Sequence, residues 1–513
     1  MKKKAFILTA LLSTLCFTAT HAQKRAFTIP DAYRLKTAIS PVVSIKGQLA
    51  YYVSASDLKT QKSSVAIYLD GQPLKDANGY APQWSSDGNK LYYTASTENG
   101  PQVFCYNMQT RQTQQLTHYA LGTQGAVVSP DGNLIAFAAE VWPAIGGANG
   151  KANAKANERK AKAPVQAHMA DKLLFRHWTD YTDGKYWHII IYNIAKDTYT
   201  DVTPGEFHSP TFSPSGPEGF TFSPDSKELC YLSNHDPHPE ASTNADLWTV
   251  PVEGGTARNL TADNKAWDGS PQYSPDGRYI AYRYQTIPSY ESDRFRLAII
   301  DRATGQKTVL TEHFDNWVDN FKWSNDSKAI YFLGEVRGYE PLYKVTLKTK
   351  KIETVIPQRA ISSFDFDNKG NFYYTYSTTA KPTAIYKATP SRRGLNEQQL
   401  THFNDAFEQE VDLRPSEELW VEGANGDSVE VFIVKPHGFE PGKKYPLVIN
   451  VHGGPQMQWM NSYRADWQVY PGAGYIVAYP NPHGSTGYGQ QFCRDISGDW
   501  GGKPFVDVMK VTD

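Results

Sequence analysis

The chain has 513 residues, with 52 Lys and Arg against 53 Asp and Glu, and 13% of its residues are aromatic. At ~100–200 residues per domain this length calls for two or three domains. The cancelling charge gives no reason to expect nucleic acid or an anionic membrane as a partner, so any specificity has to come from a local site.

The chain starts Met1-Lys2-Lys3-Lys4, continues as an apolar run from Ala5 to about Thr18, and reaches Thr20-His21-Ala22 before Gln23. A basic start, a short apolar run and a small-residue end predict a signal peptide, residues 1–22, cut after Ala22. The run is shorter than the ~20 residues a spanning helix needs. The mature protein is expected to be exported, periplasmic or secreted, with no membrane span. Cys105, Cys230 and Cys493 remain; their odd number and wide spacing predict buried thiols rather than a disulfide framework or a metal site.

A turn recurs seven times: Ser44-Ile45-Lys46-Gly47, Ser85-Ser86-Asp87-Gly88, Ser129-Pro130-Asp131-Gly132, Ser223-Pro224-Asp225-Ser226, Ser274-Pro275-Asp276-Gly277, Ser324-Asn325-Asp326-Ser327 and Asp367-Asn368-Lys369-Gly370. Each precedes a short strand such as Leu134-Ile135-Ala136-Phe137 or Tyr279-Ile280-Ala281-Tyr282. Turns spaced by about 40–50 residues, each opening a small antiparallel sheet, predict a seven-bladed β-propeller over residues 27–403. The one long gap holds an Ala-, Asn-, Gly- and Lys-rich stretch near 146–170. It lacks apolar anchors and interleaved aromatics, and is expected to be a flexible, solvated insertion from the third blade.

From about residue 407 the pattern changes. A hairpin over Leu419–Glu422 and Val429–Val434 leads to Leu447-Val448-Ile449-Asn450-Val451, a β-branched run that predicts a strand enclosed on both faces. It enters His452-Gly453-Gly454-Pro455. A helix near Tyr463–Tyr470, a strand Tyr475–Tyr479, a Gly-rich loop Pro482–Gly489 and a helix from about Pro504 follow. This order of strand, loop, helix, strand and loop predicts the N-terminal part of an α/β-hydrolase domain over residues 407–513. In that setting Gly453 and Gly454 are candidates to give a backbone N–H to an oxyanion.

The segments Tyr445-Pro446-Leu447-Val448, His452 to Pro455, Gly484 to Gly489 and Gly498-Asp499-Trp500-Gly501-Gly502, together with the Ser-Pro-Asp-Gly turns, resemble the prolyl oligopeptidase family, in its dipeptidyl-peptidase V and acylaminoacyl-peptidase branch. One departure is His483, where many relatives carry Arg. The resemblance implies a serine-type exopeptidase that hydrolyses short peptides through an acyl-enzyme, with no cofactor and with the propeller restricting access. An exopeptidase needs a negative group for the free amine of its substrate; Glu291, Asp293, Asp180 and Asp183 are the candidates.

The nucleophile elbow of that fold is Gly-x-Ser-x-Gly, and no such pentapeptide occurs among the 513 residues. Gly484-Ser485-Thr486-Gly487 lacks the spacing, so Ser485 is rejected as nucleophile. The catalytic Ser, Asp and His are expected beyond Asp513, making the chain a fragment without its triad. The alternative is a noncatalytic periplasmic propeller protein that binds peptides or protein partners. A lipase or esterase on the same fold is disfavoured by the long repeat region that precedes it.

Overall fold

The fourth residue of each recurrent turn adopts a positive φ, from 58° at Ser327 to 84° at Gly47. Glycine reaches this region without a Cβ penalty and fills five of the seven positions. In a computed structural model, which describes residues 24–211 and 219–513, each turn is closed by an N–H donated from that fourth residue to the carbonyl of the first, as from Gly132 to Ser129 at 2.8 Å. The Ser side chain at the first position accepts from the N–H that opens the next strand, as Ser274 Oγ does from Tyr279 at 2.9 Å. The turn therefore fixes where each strand begins. The predicted signal peptide lies outside the described residues.

Each of the seven turns joins the first two strands of a four-stranded antiparallel sheet. The sheets run from Lys36–Val43 to Gln72–Pro73, Tyr80–Trp84 to Gln112–Gln115, Gln124–Val128 to Thr198–Asp201, Phe220–Phe222 to Arg258–Asn259, Asp268–Tyr273 to Lys307–Val309, Val318–Trp323 to Ile352–Ile356, and Ala360–Phe366 to Gly394–Gln399. Apolar residues alternate along the inner strands of each sheet, so successive sheets bury a shared layer. Tyr92 and Val103 meet Ile135 and Phe137 between the second and third sheets, and Cys230 and Leu247 meet Ile280 and Tyr282 between the fourth and fifth. The seventh sheet packs back on the first through Tyr373 and Ile385 against Leu49 and Tyr51.

The seam between the first and seventh sheets is reinforced from outside them. Arg25 and Arg34 both pair with Glu410, at 2.6 Å each, and both also pair with the buried Asp31. Asn404 accepts from the Lys36 N–H and donates to the Lys36 carbonyl.

The stretch expected to be a flexible insertion contains a helix, Gly150–Ala161. Ala152, Ala154 and Ala156 favour the helical backbone, and the Asn149 side chain caps it by accepting from the Ala152 N–H. Its anchors are polar: the buried Asn153 accepts from the Trp142 N–H and donates to the Gly146 carbonyl, and Asn157 accepts from the Trp142 indole. A helix docked by amides leaves no apolar periodicity in the sequence. A short hairpin, Arg176–His177 with Asp180–Tyr181, follows it.

The C-terminal sheet has the spatial order Ser416–Glu422, Ser428–Val434, Ile476–Asn481, Leu447–Ile449, and its last two strands are parallel. Trp467, from the helix Asp466–Gly472, stacks on Tyr479 at 3.6 Å and packs with Phe432, Val434 and Val477. Leu447 occupies the edge strand and is 42% exposed; the enclosed strand read from its β-branched composition is thus an edge strand here. Cys105, Cys230 and Cys493 are free and buried, and burial pushes the Cys493 thiol up to about 12. No helix among the described residues is long and apolar enough to cross a membrane.

Candidate active site

The strand Leu447–Ile449 delivers the chain to His452, Gly453 and Gly454. Both glycines are exposed. A Cβ built on Gly453 would meet nothing within 4 Å, so the loop presents open backbone.

Ser485, by contrast, is fully buried. Its hydroxyl donates to the Pro482 carbonyl at 2.6 Å, and His452 Nε2 lies 2.8 Å from the same oxygen. His452 Nδ1 lies 3.1 Å from the Gly453 carbonyl, which can only accept, so the neutral ring carries its proton on Nδ1 and turns the Nε2 lone pair toward Ser485. What disfavours Ser485 as a nucleophile is its burial and the Pro482 carbonyl, which competes with that lone pair for the hydroxyl proton. Burial holds His452 below its ordinary value and keeps it neutral. The pair therefore ties the Pro482–Gly487 loop to the glycine loop.

The next residue carries the link to the sheets. Thr486 donates through its hydroxyl to Glu335, which follows the strand Ala329–Gly334 of the sixth sheet. Around it the Arg337 N–H donates to the Gly487 carbonyl at 3.0 Å, the Gly338 N–H to Gln458 at 2.9 Å, and Gln458 donates to the Tyr339 carbonyl.

Three carboxylates gather on this side: Glu335, the buried Glu340, and Asp319, whose side chain is 37% exposed. Arg283, itself buried, pairs with Asp319 at 2.8 Å. Burial, opposed by the Thr486 hydroxyl and aided by the Asp319 charge, pushes Glu335 up to about 7. Burial, then the Asp319 and Glu335 charges, push Glu340 well above the usual carboxylate range. The group thus holds protons that a bound cation would displace.

The four carboxylates chosen from sequence are not brought together. Asp293 is buried and accepts from the Thr286 and Ile287 N–H groups and pairs with Arg296, so its oxygens are committed to its own loop. Asp183 pairs with Lys160 and His168 beside the insertion helix. Asp180 is exposed on the short hairpin, and Glu291 is exposed. Glu335 and Glu340 lie in Glu335-Val336-Arg337-Gly338-Tyr339-Glu340, which matches no motif. The available signal was a pair of acids flanking a glycine turn at the end of a blade strand.

Among the described residues, one group of His and Asp lies within reach of a single ion: His483 Nε2, Asp427 and Asp495. The Lys503 ammonium already occupies the facing Asp495 oxygen at 2.7 Å, which makes the group a network of ion pairs.

Residues 461–513 match the prolyl oligopeptidase family. The chain is 29% identical over 503 residues to dipeptidyl-peptidase 5 of Porphyromonas gingivalis, covering 94% of this chain and 72% of that protein. It is 30% identical over 463 residues to dipeptidyl-peptidase 5 of Trichophyton schoenleinii, covering 83% of this chain and 62% of that one. An acylaminoacyl peptidase solved with Z-Gly-Gly-Phe-chloromethyl ketone superposes with a TM-score of 0.76 at 17% identity, over 94% of this chain and 71% of its own. A Mycobacterium tuberculosis puromycin-hydrolyzing peptidase gives 0.65 at 13% identity, over 95% and 73%. The fold is that of such peptidases, a propeller joined to a hydrolase domain, and the likeness to dipeptidyl-peptidase 5 extends along nearly the whole chain.

Proposed function

We propose that this chain, related to the prolyl oligopeptidase family, supplies the substrate-filtering and oxyanion parts of an exported serine-type exopeptidase. In this reading the seven sheets are the blades of one propeller, residues 27–403, and residues 407–513 open the hydrolase domain. The observation that carries the proposal is the chain of contacts from Glu335 through Thr486, Ser485 and His452 to Gly453. It sets a carboxylate group able to take a peptide's ammonium on the same loop system as an open glycine backbone able to take an oxyanion. Glu335, Glu340 and Asp319 replace the amine-binding residues expected from sequence. The peptide is held by its N-terminus, the carbonyl to be cleaved lies toward Gly453 and Gly454, and hydrolysis proceeds through an acyl-enzyme on a serine that is not among these 513 residues.

The reading frame downstream of the Asp513 codon tests this. A frame that continues to Gly-x-Ser-x-Gly, then to Asp and His, supports the peptidase; a stop codon at that point sinks it.

The amine site has its own check in the present chain. Glu335 has a folded value above its unfolded one, so the proton it keeps is stabilising at low pH, and that contribution is lost as pH rises from the unfolded carboxylate range through about 7. Glu335→Gln is therefore expected to match the parent near pH 4 and to be more stable at pH 8, by on the order of 2 kcal/mol. Denaturant unfolding at the two pH values measures it. A Gln variant less stable at pH 8 would make Glu335 an ordinary structural acid.

A further inference from the structure

His483 is fully buried, and three segments distant in sequence converge on its ring. Nδ1 lies 2.7 Å from Asp507 Oδ2, on the C-terminal helix Lys503–Thr512. Nε2 lies 3.2 Å from Asp427 Oδ2, in the turn that follows Ala424–Gly426, and 3.9 Å from Asp495 Oδ2, at the end of the helix Gln490–Arg494. Lys503 is the other cation in the group, paired with Asp495, and the Phe492 ring stacks on the imidazole at 4.3 Å.

Asp507 accepts three times, from the His483 N–H at 2.8 Å, from the Ala424 N–H at 2.7 Å and from Nδ1. It is therefore ionised and fixes a proton on Nδ1. Nε2 then faces two carboxylates. A lone pair there would be repelled, whereas an N–H is attracted.

We propose that His483 is a positioning residue: its doubly protonated ring pins the Pro482–Gly487 loop to the C-terminal helix and to the 424–427 turn, and through that loop it sets His452 and Thr486. The loop is short, and both of its functional contacts start within three residues of His483. Burial opposes the charge on the ring, but the Asp507 and Asp427 carboxylates outweigh it and raise the ring above its ordinary value. A raised folded value means that the clamp is complete below the unfolded imidazole range and is lost as pH rises through the folded value. The tests below read unfolding and exchange, so they stand or fall separately from the peptidase reading.

The experiment is thermal unfolding of the 513-residue chain between pH 5.5 and 9, in EDTA and with added Zn2+, for the parent, His483→Arg, His483→Gln and Asp427→Asn. The parent is expected to lose Tm as pH rises, with hydrogen exchange at the Gly484, Ser485 and Thr486 amides accelerating over the same interval. His483→Arg, a permanent cation, removes that step and keeps the Tm at pH 9. His483→Gln lowers the Tm at pH 6 by about 2–4 °C and shows no step. Asp427, half-exposed, is replaceable without a packing defect, and Asp427→Asn moves the step to lower pH. Parallel pH profiles for the parent and His483→Arg would overturn the proposal if the Arg variant folds. An unmoved step in Asp427→Asn overturns it in either case. A Tm raised by Zn2+ in the parent but not in His483→Gln would make the pocket a metal site and refute the proton clamp.

Discussion

A fluorophosphonate probe is expected to leave the 513-residue chain unlabelled. Such probes report a serine whose oxygen is reachable and whose proton a neighbouring base can take. The serine that sits beside a histidine, Ser485, is hampered on both counts. It is fully buried, and the Pro482 carbonyl competes with the His452 Nε2 lone pair for its proton. Neither defect is removed by local breathing of the loop, because the partners of Ser485 lie in the loop itself and in the adjoining glycine segment. The measurement is intact-mass analysis after incubation with excess probe. Stoichiometric addition at Ser485 would show that the Gly484–Gly487 segment is a nucleophile turn after all.

Arg283→Met is expected to cost about 3–5 kcal/mol, the usual consequence of removing one partner of a buried charge pair. The guanidinium is only 2% exposed. It donates to Asp319 at 2.8 Å, to the Val318 carbonyl and to Ser270 Oγ, and stacks over Phe295. Met preserves the aliphatic bulk and isolates the electrostatic part of the loss. Without the cation, Asp319, Glu335 and Glu340 confront one another. The deficit should be greatest at pH 8 and shrink toward pH 5, where Glu335 and Glu340 hold protons. The double variant Arg283→Met with Asp319→Asn should recover part of it. Chemical denaturation across pH measures all three; a deficit that does not vary with pH would mean that Arg283 acts through packing alone and that the carboxylates are not coupled to it.

The repeat was readable because its signal is local and steric. A residue that must adopt positive φ selects Gly or a small polar residue, and it does so at seven places, evenly spaced except across the insertion between Gly132 and Ser226. The order of elements in the C-terminal part was readable for a similar reason, since buried strands, paired glycines and a terminal amphipathic helix each leave a short-range mark. The insertion helix left none, because hydrogen bonds from Trp142 to the amide oxygens of Asn153 and Asn157 replace the usual apolar stripe. The carboxylate group was hidden for another reason. Asp319, Glu335 and Arg283 come from different strands and loops, and Glu335 meets Thr486 only when the last sheet docks on the sixth. Asp293, singled out by its acidic neighbourhood in sequence, is consumed by its own backbone. His483 stood out as an unusual residue beside Gly484, but the three carboxylates that explain it are 24 residues downstream at Asp507, 56 upstream at Asp427 and 12 downstream at Asp495.

Peptide backbone runs from each of the seven sheets to the next, but not from the seventh back to the first. That one joint is held by an apolar layer, by hydrogen bonds of Asn404 to Lys36 and of Val43 to Asp365, and by Arg25 and Arg34 clasping Glu410 and Asp31. Hydrogen bonds from Arg34 and Arg25 pull Glu410 down to about 2, so the clasp survives mild acid and opens only as pH falls toward that value. Arg25, Arg34 and Glu410 are partly exposed, so salt screens the pairs on Glu410, while Asp31 is buried and its pairs are screened much less. The joint is the one in the ring of sheets that no peptide link closes, and ionic strength acts on the exposed half of its clasp, as on a strap that completes a hoop.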